Sequence, residues 1–296
     1  MKLDIAPLVD EPLGAVVRGW DPDQPLDEAA RSQISEALSE YLVLVFRGQD
    51  QPSDEALVRF AESFGPLIKG SEWFRDAGDR PEILPVTNVV GEDGIPLGTG
   101  GAAQLEWHAD YSYVDVPGKE SFLNAVELPA DPPRTYFCNQ YRALETLPDE
   151  LVERLRSLRA HHSVTAYVKD DAASGEHDLN RGFAAKRRRD DELGVQRPRI
   201  PDAEHPVVFR HPDSGREILY VSKGITRQII GLEREESSAL LKELHLHSVQ
   251  PESVYAHEWQ VGDMVMFDTL GALHRRDSWD PSERRVMRQL STRCDA

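Results

Sequence analysis

The chain has 296 residues, 40% hydrophobic and 29% charged, enough for a sizeable core in one large domain or two small ones. Its 34 Lys and Arg against 52 Asp and Glu leave a formal charge of −18, which works against nucleic-acid binding through phosphates and against docking on anionic lipid. No apolar run approaches the ~20 residues of a membrane helix, the N-terminus lacks a signal-like stretch, and two cysteines, Cys138 and Cys294, are too few for a disulfide scaffold or a structural zinc site. The expectation is a cytoplasmic protein with neither nucleic-acid nor membrane partners.

In chain order, Leu3, Ile5 and Gly14–Gly19 predict an opening strand pair. Asp27 is a good N-cap for a helix whose apolar positions are Ala30, Ile34, Leu38 and Leu42. The β-branched run Leu42–Phe46 predicts a buried strand. A second helix is capped by Ser53, carries Leu57, Phe60, Ala61 and Phe64, and closes at Gly65-Pro66. Residues 69–105 turn loop-like, with a short strand in Pro81–Asn88. Trp73 and Phe74 in this region are core anchors or the aromatic wall of a substrate pocket.

Strands are predicted at Ser121–Glu127 and Arg134–Asn139, followed by a helix from Pro148. The stretch 170–199 is polar and reads as a surface excursion or lid. Short strands then return at Val207–Arg210, Ile218–Val221, Met264–Phe267 and Val286–Thr292, interrupted by a helix at Glu233–Leu246. This is the pattern of an α+β, mainly β fold: a jelly-roll core (double-stranded β-helix) with flanking helices, in a single domain over residues 1–296.

The chemistry concentrates at Trp107-His108-Ala109-Asp110. Two positions apart on a strand, an imidazole and a carboxylate share a face. With a second His from elsewhere they make the three-ligand facial site of non-haem Fe(II) oxygenases. Of ten histidines, His161, His162, His177, His205, His211, His245, His247 and His257 fall in contexts read as helix, loop or turn, without a partner pattern. His274 differs: it follows the apolar strand Gly262–Asp268. Downstream, Arg285, Met287 and Gln289 share one strand face, and Arg284, Val286 and Arg288 the other. An Arg aimed inward needs an anion, and its planar fork matches a carboxylate.

With these residues in view, the sequence resembles the Fe(II)/2-oxoglutarate-dependent dioxygenases related to taurine dioxygenase and 2,4-dichlorophenoxyacetate dioxygenase. The resemblance covers nearly the whole chain. Leu44-Val45-Phe46-Arg47-Gly48-Gln49 and Phe64-Gly65-Pro66-Leu67 match the N-terminal third. Trp107–Asp110 matches the first metal motif, and Gly262-Asp263, His274 and Arg284-Arg285-Val286-Met287 the C-terminal one.

The resemblance implies that His108, Asp110 and His274 hold Fe(II), leaving coordination positions for 2-oxoglutarate and O2 as co-substrates. It implies that Arg285 binds the distal carboxylate of 2-oxoglutarate, assisted by Thr135. Here the family's Gly-Gly-Asp-Thr is Pro132-Pro133-Arg134-Thr135, a stiffer turn. Related halogenases replace the carboxylate ligand; Asp110 is kept, which favours hydroxylation or desaturation. Taurine dioxygenase grips its sulfonate with a His and an Arg at places that here hold Gly70 and Gln289, so taurine is disfavoured.

The residues expected on the substrate side are Trp73, Phe74, Tyr111, Tyr113 and Gln289, with Arg288 if the strand twists. They suit a moderately large or partly apolar organic molecule, such as an amino-acid-derived or specialised metabolite. Alternatives open at this point are a catabolic dioxygenase for a sulfonate or aryloxy acid, a non-catalytic jelly-roll binding protein, and a cupin enzyme without 2-oxoglutarate. Relatives often form dimers or tetramers, so a homo-oligomer is also open.

Overall fold

The computed structural model describes residues 2–74, 80–92, 94, 96–164, 191, 192, 194, 196 and 199–295. Its first strands are β1 (Asp4–Pro7), β2 (Ala15–Arg18), β3 (Val43–Phe46), β4 (Leu84–Thr87), β5 (Thr99–Gly100) and β6 (Leu105–His108). The middle of the chain adds β7 (Gly118–Glu127), β8 (Thr135–Asn139), β9 (Arg159–His162), β10 (Ala203–Pro206), β11 (Val208–Arg210), β12 (Glu217–Leu219) and β13 (Thr226–Ile229). The C-terminal strands are β14 (Val254–His257), β15 (Met264–Asp268), β16 (Ala272–Arg276) and β17 (Val286–Arg293). Helices are α1 (Glu28–Tyr41), α2 (Asp54–Glu62), the short α3 (Ser71–Phe74), α4 (Gln140–Glu145), α5 (Asp149–Arg156) and α6 (Arg234–Ser248). The fold is mixed α/β with sheet predominant, and no helix among the described residues is long and apolar enough to cross a membrane.

Local chemistry sets the early elements. Asp27 Oδ1 accepts from Ala30 N at 2.8 Å and starts α1, which ends where Leu42 turns left-handed at φ 64°. Leu42 is therefore the helix stop rather than its last stripe residue or the first of the strand. Ser53 caps α2 in the same manner. Every residue of β3 and β15 is buried. Both faces of these strands are covered, which is why they read as unbroken apolar runs rather than alternating ones.

The larger sheet has eight strands in the order β1-β2-β3-β15-β7-β17-β4-β5, and a second has four, β14-β8-β16-β6. Leu44, Phe46, Met264 and Met266 pack with Ile34, Leu38, Leu57 and Phe60 from α1 and α2. Val43, Val45, Val265, Phe267 and Met287 instead join Phe137 of β8 and Tyr255 of β14 in a cluster shared by the two sheets. Alternation along β3 and β15 thus divides one core from the other.

Four histidines expected outside strands lie in them: His161 and His162 in β9, His205 in β10 and His257 in β14. Their segments are short and lack an alternating apolar pattern, so the sheet is dictated by partners distant in sequence. The stretch 170–199 expected as an excursion or lid lies outside the described residues, save for 191, 192, 194, 196 and 199.

An ion pair between a half-buried arginine and a buried aspartate closes the large sheet at one end. Arg47, just after β3, donates to both carboxylate oxygens of Asp263, at 2.8 and 2.6 Å. His257 Nε2 lies 3.3 Å from the same carboxylate, and Gln260 N donates to it at 2.8 Å. Burial raises the Asp263 pKa, but the hydrogen bonds from Arg47 and His257 more than offset this and hold it below the usual carboxylate range. Stability from such a depressed group is present above its unfolded pKa, about 3.9, and is lost as pH falls through the folded one. Arg47→Met should therefore lower stability by about 3 kcal/mol in urea unfolding at pH 7. The gap to wild type should narrow as acid protonates Asp263, and a gap constant down to pH 3 would contradict this account.

Candidate active site

His274 is placed by pairing. Its strand, β16, lies between β8 and β6, and the register sets His274 opposite His108, the last residue of β6. The two imidazoles face each other with ring centroids 4.1 Å apart. Asp110 is not on the strand as the spacing suggested. The chain leaves β6 after His108, and Asp110 enters a turn whose next residue, Tyr111, has φ 54°. The carboxylate still meets the imidazoles because Asp110 N donates to Thr269 Oγ1 at 3.0 Å, tying the turn to the loop that precedes β16.

Asp110 Oδ1 lies 3.6 Å from His108 Nε2 and 3.9 Å from His274 Nε2. Among the described residues these three form the one His/Cys/Asp/Glu group able to hold a metal ion, with ligand atoms all within 4.8 Å of one another. His108 Nδ1 lies 2.7 Å from the Glu106 carbonyl, an acceptor, so Nδ1 carries the proton and Nε2 offers its lone pair inward. Burial and the neighbouring His108 push His274 far below the ordinary imidazole range, leaving it neutral. Burial raises Asp110, opposed by His108 and by hydrogen bonds from Ser121 and Gln289. Two imidazoles and a desolvated carboxylate on one side suit a divalent cation.

The group opens on a cavity of about 170 Å³ between the two sheets. Leu84, Val86, Leu105, Leu123 and Ile225 give it an apolar lining, and Tyr111, Tyr113, Thr135, Arg276, Arg285 and Gln289 supply polar atoms. Arg285 is 2% exposed, its Nε has no hydrogen-bond partner, and burial alone pushes its pKa down to about 9. Its guanidinium lies over the Trp279 ring, 5.5 Å from the centroid. A buried guanidinium left in this state is a receptor for an anion. The rival arginines are committed elsewhere: Arg284 to Glu127 at the surface, and Arg288 to Asp54 and Asn124 on the other face of β17.

Thr135 opens β8, its Oγ1 accepting from Trp259 Nε1 at 3.0 Å, so the stiff Pro132-Pro133 turn leaves the hydroxyl fixed at the cavity. Gln289 also borders the cavity, but its amide donates to Asp110 Oδ2 at 2.7 Å. Trp73 stands behind Tyr111 and Tyr113, both at 6.2 Å between centroids, rather than on the cavity surface. Phe74 ends α3, and its side chain lies outside the described residues.

Sequence reasoning missed Arg276, two positions after His274 on the same strand face and directly across from Thr135. Period-two alternation from His274 would have found it. It donates to the carbonyls of Gly100 at 2.8 Å and of Ala103.

The geometry defines a class first: an enzyme with a two-His, one-carboxylate metal site beside a receptor for a small anion. The comparisons supply the family. Residues 4–290 match the family described as Taurine catabolism dioxygenase TauD, TfdA family. Pentalenolactone F synthase of Streptomyces avermitilis is 36% identical over 297 residues, 99% of this chain and 95% of that protein. Alpha-ketoglutarate-dependent 2,4-dichlorophenoxyacetate dioxygenase of Cupriavidus pinatubonensis is 33% identical, covering 98% of this chain and 99% of its own. The solved structure of AAD-2 in complex with Mn(II) and N-oxalylglycine superposes with a TM-score of 0.76 at 27% identity, over 100% and 99% of the two chains. The chain belongs to the TauD, TfdA family and is a non-haem Fe(II)/2-oxoglutarate-dependent dioxygenase, with O2 as second co-substrate.

Gly70 explains how Tyr111 fits. A Cβ at position 70 would overlap the Tyr111 hydroxyl and ring, so the phenol occupies the space of the missing side chain. Gly70→Ala should cost about 1–3 kcal/mol in urea unfolding, the usual penalty of overpacking. Adding Tyr111→Phe, which removes the overlapping hydroxyl, should recover part of that loss. No recovery in the double variant would refute the fit.

Proposed function

We propose that this enzyme hydroxylates or desaturates an unactivated C–H bond of a small, largely uncharged organic molecule, in the class of amino-acid-derived or specialised metabolites. Succinate and CO2 are released. The observation that carries the reading is the convergence of His108, Asp110 and His274 in one cavity with the unpaired Arg285. In this reading His108 Nε2, Asp110 Oδ1 and His274 Nε2 hold iron, and the guanidinium of Arg285 with the Thr135 hydroxyl holds the distal carboxylate of 2-oxoglutarate.

Bound ferrous iron supplies the activation of O2, coupled to oxidative decarboxylation of 2-oxoglutarate. The chain's own residues bind, orient and exclude water. The Glu106 carbonyl fixes the His108 tautomer, and Trp259 fixes the Thr135 oxygen. The apolar side chains of β4, β6 and β7 keep the reacting volume dry. Tyr111 and Tyr113, with Trp73 behind them, form the wall against which the substrate lies. Burial raises both phenols, so they meet it as neutral donors.

The uncharged character of the substrate is read from positions 70 and 289. Gly70 has no side chain, and Gln289 has its amide on Asp110. The pentalenolactone F synthase relative is biosynthetic by its name, which supports the metabolite class. The 2,4-dichlorophenoxyacetate dioxygenase relative keeps an aryloxy acid as the alternative to be tested. The two facing sheets with outer helices are read as a double-stranded β-helix, and residues 1–296 as one dioxygenase domain.

Anaerobic addition of Fe(II) and 2-oxoglutarate should give a weak visible charge-transfer band. Arg285→Gln should weaken 2-oxoglutarate binding by about 2–5 kcal/mol, at least about thirtyfold, with Fe(II) binding kept. An unchanged 2-oxoglutarate affinity would remove Arg285 from its role. Succinate release measured across taurine, phenoxyacids, amino-acid derivatives and uncharged apolar metabolites should favour the last two, and brisk taurine turnover would overturn the uncharged-substrate reading.

A further inference from the structure

The position four beyond Arg285 sits on the cavity face of β17 beside the proposed iron ligands, and it holds a glutamine. Gln289 Nε2 donates to Asp110 Oδ2 at 2.7 Å, and both residues are buried. Directly across from Gln289 on the neighbouring strands are Leu84 of β4 and Leu123 of β7, which offer its amide no polar partner. Asp110 Oδ1 is left facing His108 Nε2 and His274 Nε2.

A carboxylate turns easily about its last torsion. Left to itself, that of Asp110 could swing, or offer both oxygens to a cation and occupy a position that a co-substrate needs. A donor clamped on Oδ2 leaves one oxygen available. A neutral amide does this without a positive charge beside the metal, which a lysine or arginine would bring. We propose that Gln289 is a positioning residue for the metal: it holds Asp110 as a one-oxygen ligand and raises metal affinity, and its amide is thereby withdrawn from substrate recognition. The proposal rests on the ligand assignment made above.

The test is metal binding in the absence of 2-oxoglutarate and O2, with Mn(II) as the probe followed by electron paramagnetic resonance. Gln289→Leu and Gln289→Met keep most of the side-chain volume and remove the donor. Both should weaken Mn(II) binding by about 10–100-fold, the usual effect of losing a partner of a ligand. The Fe(II)–2-oxoglutarate visible band should also shift, while unfolding of the metal-free protein changes little. Mn(II) affinity within twofold of wild type and an unmoved band in both variants would overturn the proposal. So would a fall in metal-free stability with normal affinity in the folded protein, since that marks a packing role alone. Asp110→Ala separates the two levels. If it too binds Mn(II) normally, the ligand assignment has failed; if it loses the metal while both Gln289 variants keep it, the assignment stands and the positioning role falls.

Discussion

The pairing of β16 between β6 and β8 is the constraint on which the site depends. It is the one place where His274 and His108, far apart in the chain, are set across from each other. A slip of one residue would turn His274 out of the cavity and carry Leu273 into it. The register is pinned on both sides of the strand. Regular pairing with β8 runs from Ala272 to Arg276, and Arg276 holds the carbonyls of Gly100 and Ala103 beyond β6. Arg276 therefore acts as an anchor for the strand that carries His274, and this explains a buried guanidinium beyond the one expected at Arg285.

The sequence blocks that marked the family are bound to one another. In the first, Arg47 takes the carboxylate of Asp263 and Gln49 donates to the Gly262 carbonyl at 2.7 Å, so Arg47-Gly48-Gln49 and Gly262-Asp263 form a single clamp. In the second, the Pro66 carbonyl accepts from Arg293 N, and Leu67 bridges to Thr292. Each N-terminal block holds a C-terminal strand, β15 or β17, that leads toward the cavity. Breaking a desolvated pair such as Arg47–Asp263 leaves an unpaired buried charge, which costs more than the pair itself contributes. That asymmetry makes such clamps specific markers of register.

That His108, Asp110, His274 and Arg285 meet at one cavity was legible because the chemistry expected of them restricts residue type. The other histidines show the limit. His205 is buried with Nε2 on the Val114 carbonyl, and His257 lies between Asp263 and the Tyr255 hydroxyl. The Val114 and Asp263 partners lie outside the histidines' own strands, and Tyr255, on β14 with His257, is an ordinary strand residue, so no local apolar pattern distinguishes a structural histidine in a strand from one in a loop. The cavity wall was hidden for the same reason. Leu84, Leu105, Leu123 and Ile225 come from different elements, and each looks locally like any core residue. The turn at Asp110 was missed because the His-x-Asp spacing is equally compatible with a strand. What separates the two is the left-handed Tyr111, a conformation that its residue type does not announce.

That turn carries the last step. A tyrosine in a left-handed conformation costs on the order of 1–3 kcal/mol. Burying a large side chain returns about the same, 1.5–3 kcal/mol. The conformation is thus affordable only because the ring finds a dry berth, against Trp73 and Tyr113 and in the notch left by Gly70. The same backbone bend aims the Asp110 carboxylate at His108 and His274. The residue that lines the cavity, Tyr111, and the residue that would hold the metal are consecutive and share one strained turn. A change in the wall at Tyr111 or Gly70 is therefore transmitted to the carboxylate through a single peptide unit, and the Gln289 hydrogen bond opposes that displacement from the other side. The proposed substrate wall and the proposed metal ligand are thus mechanically linked through this turn.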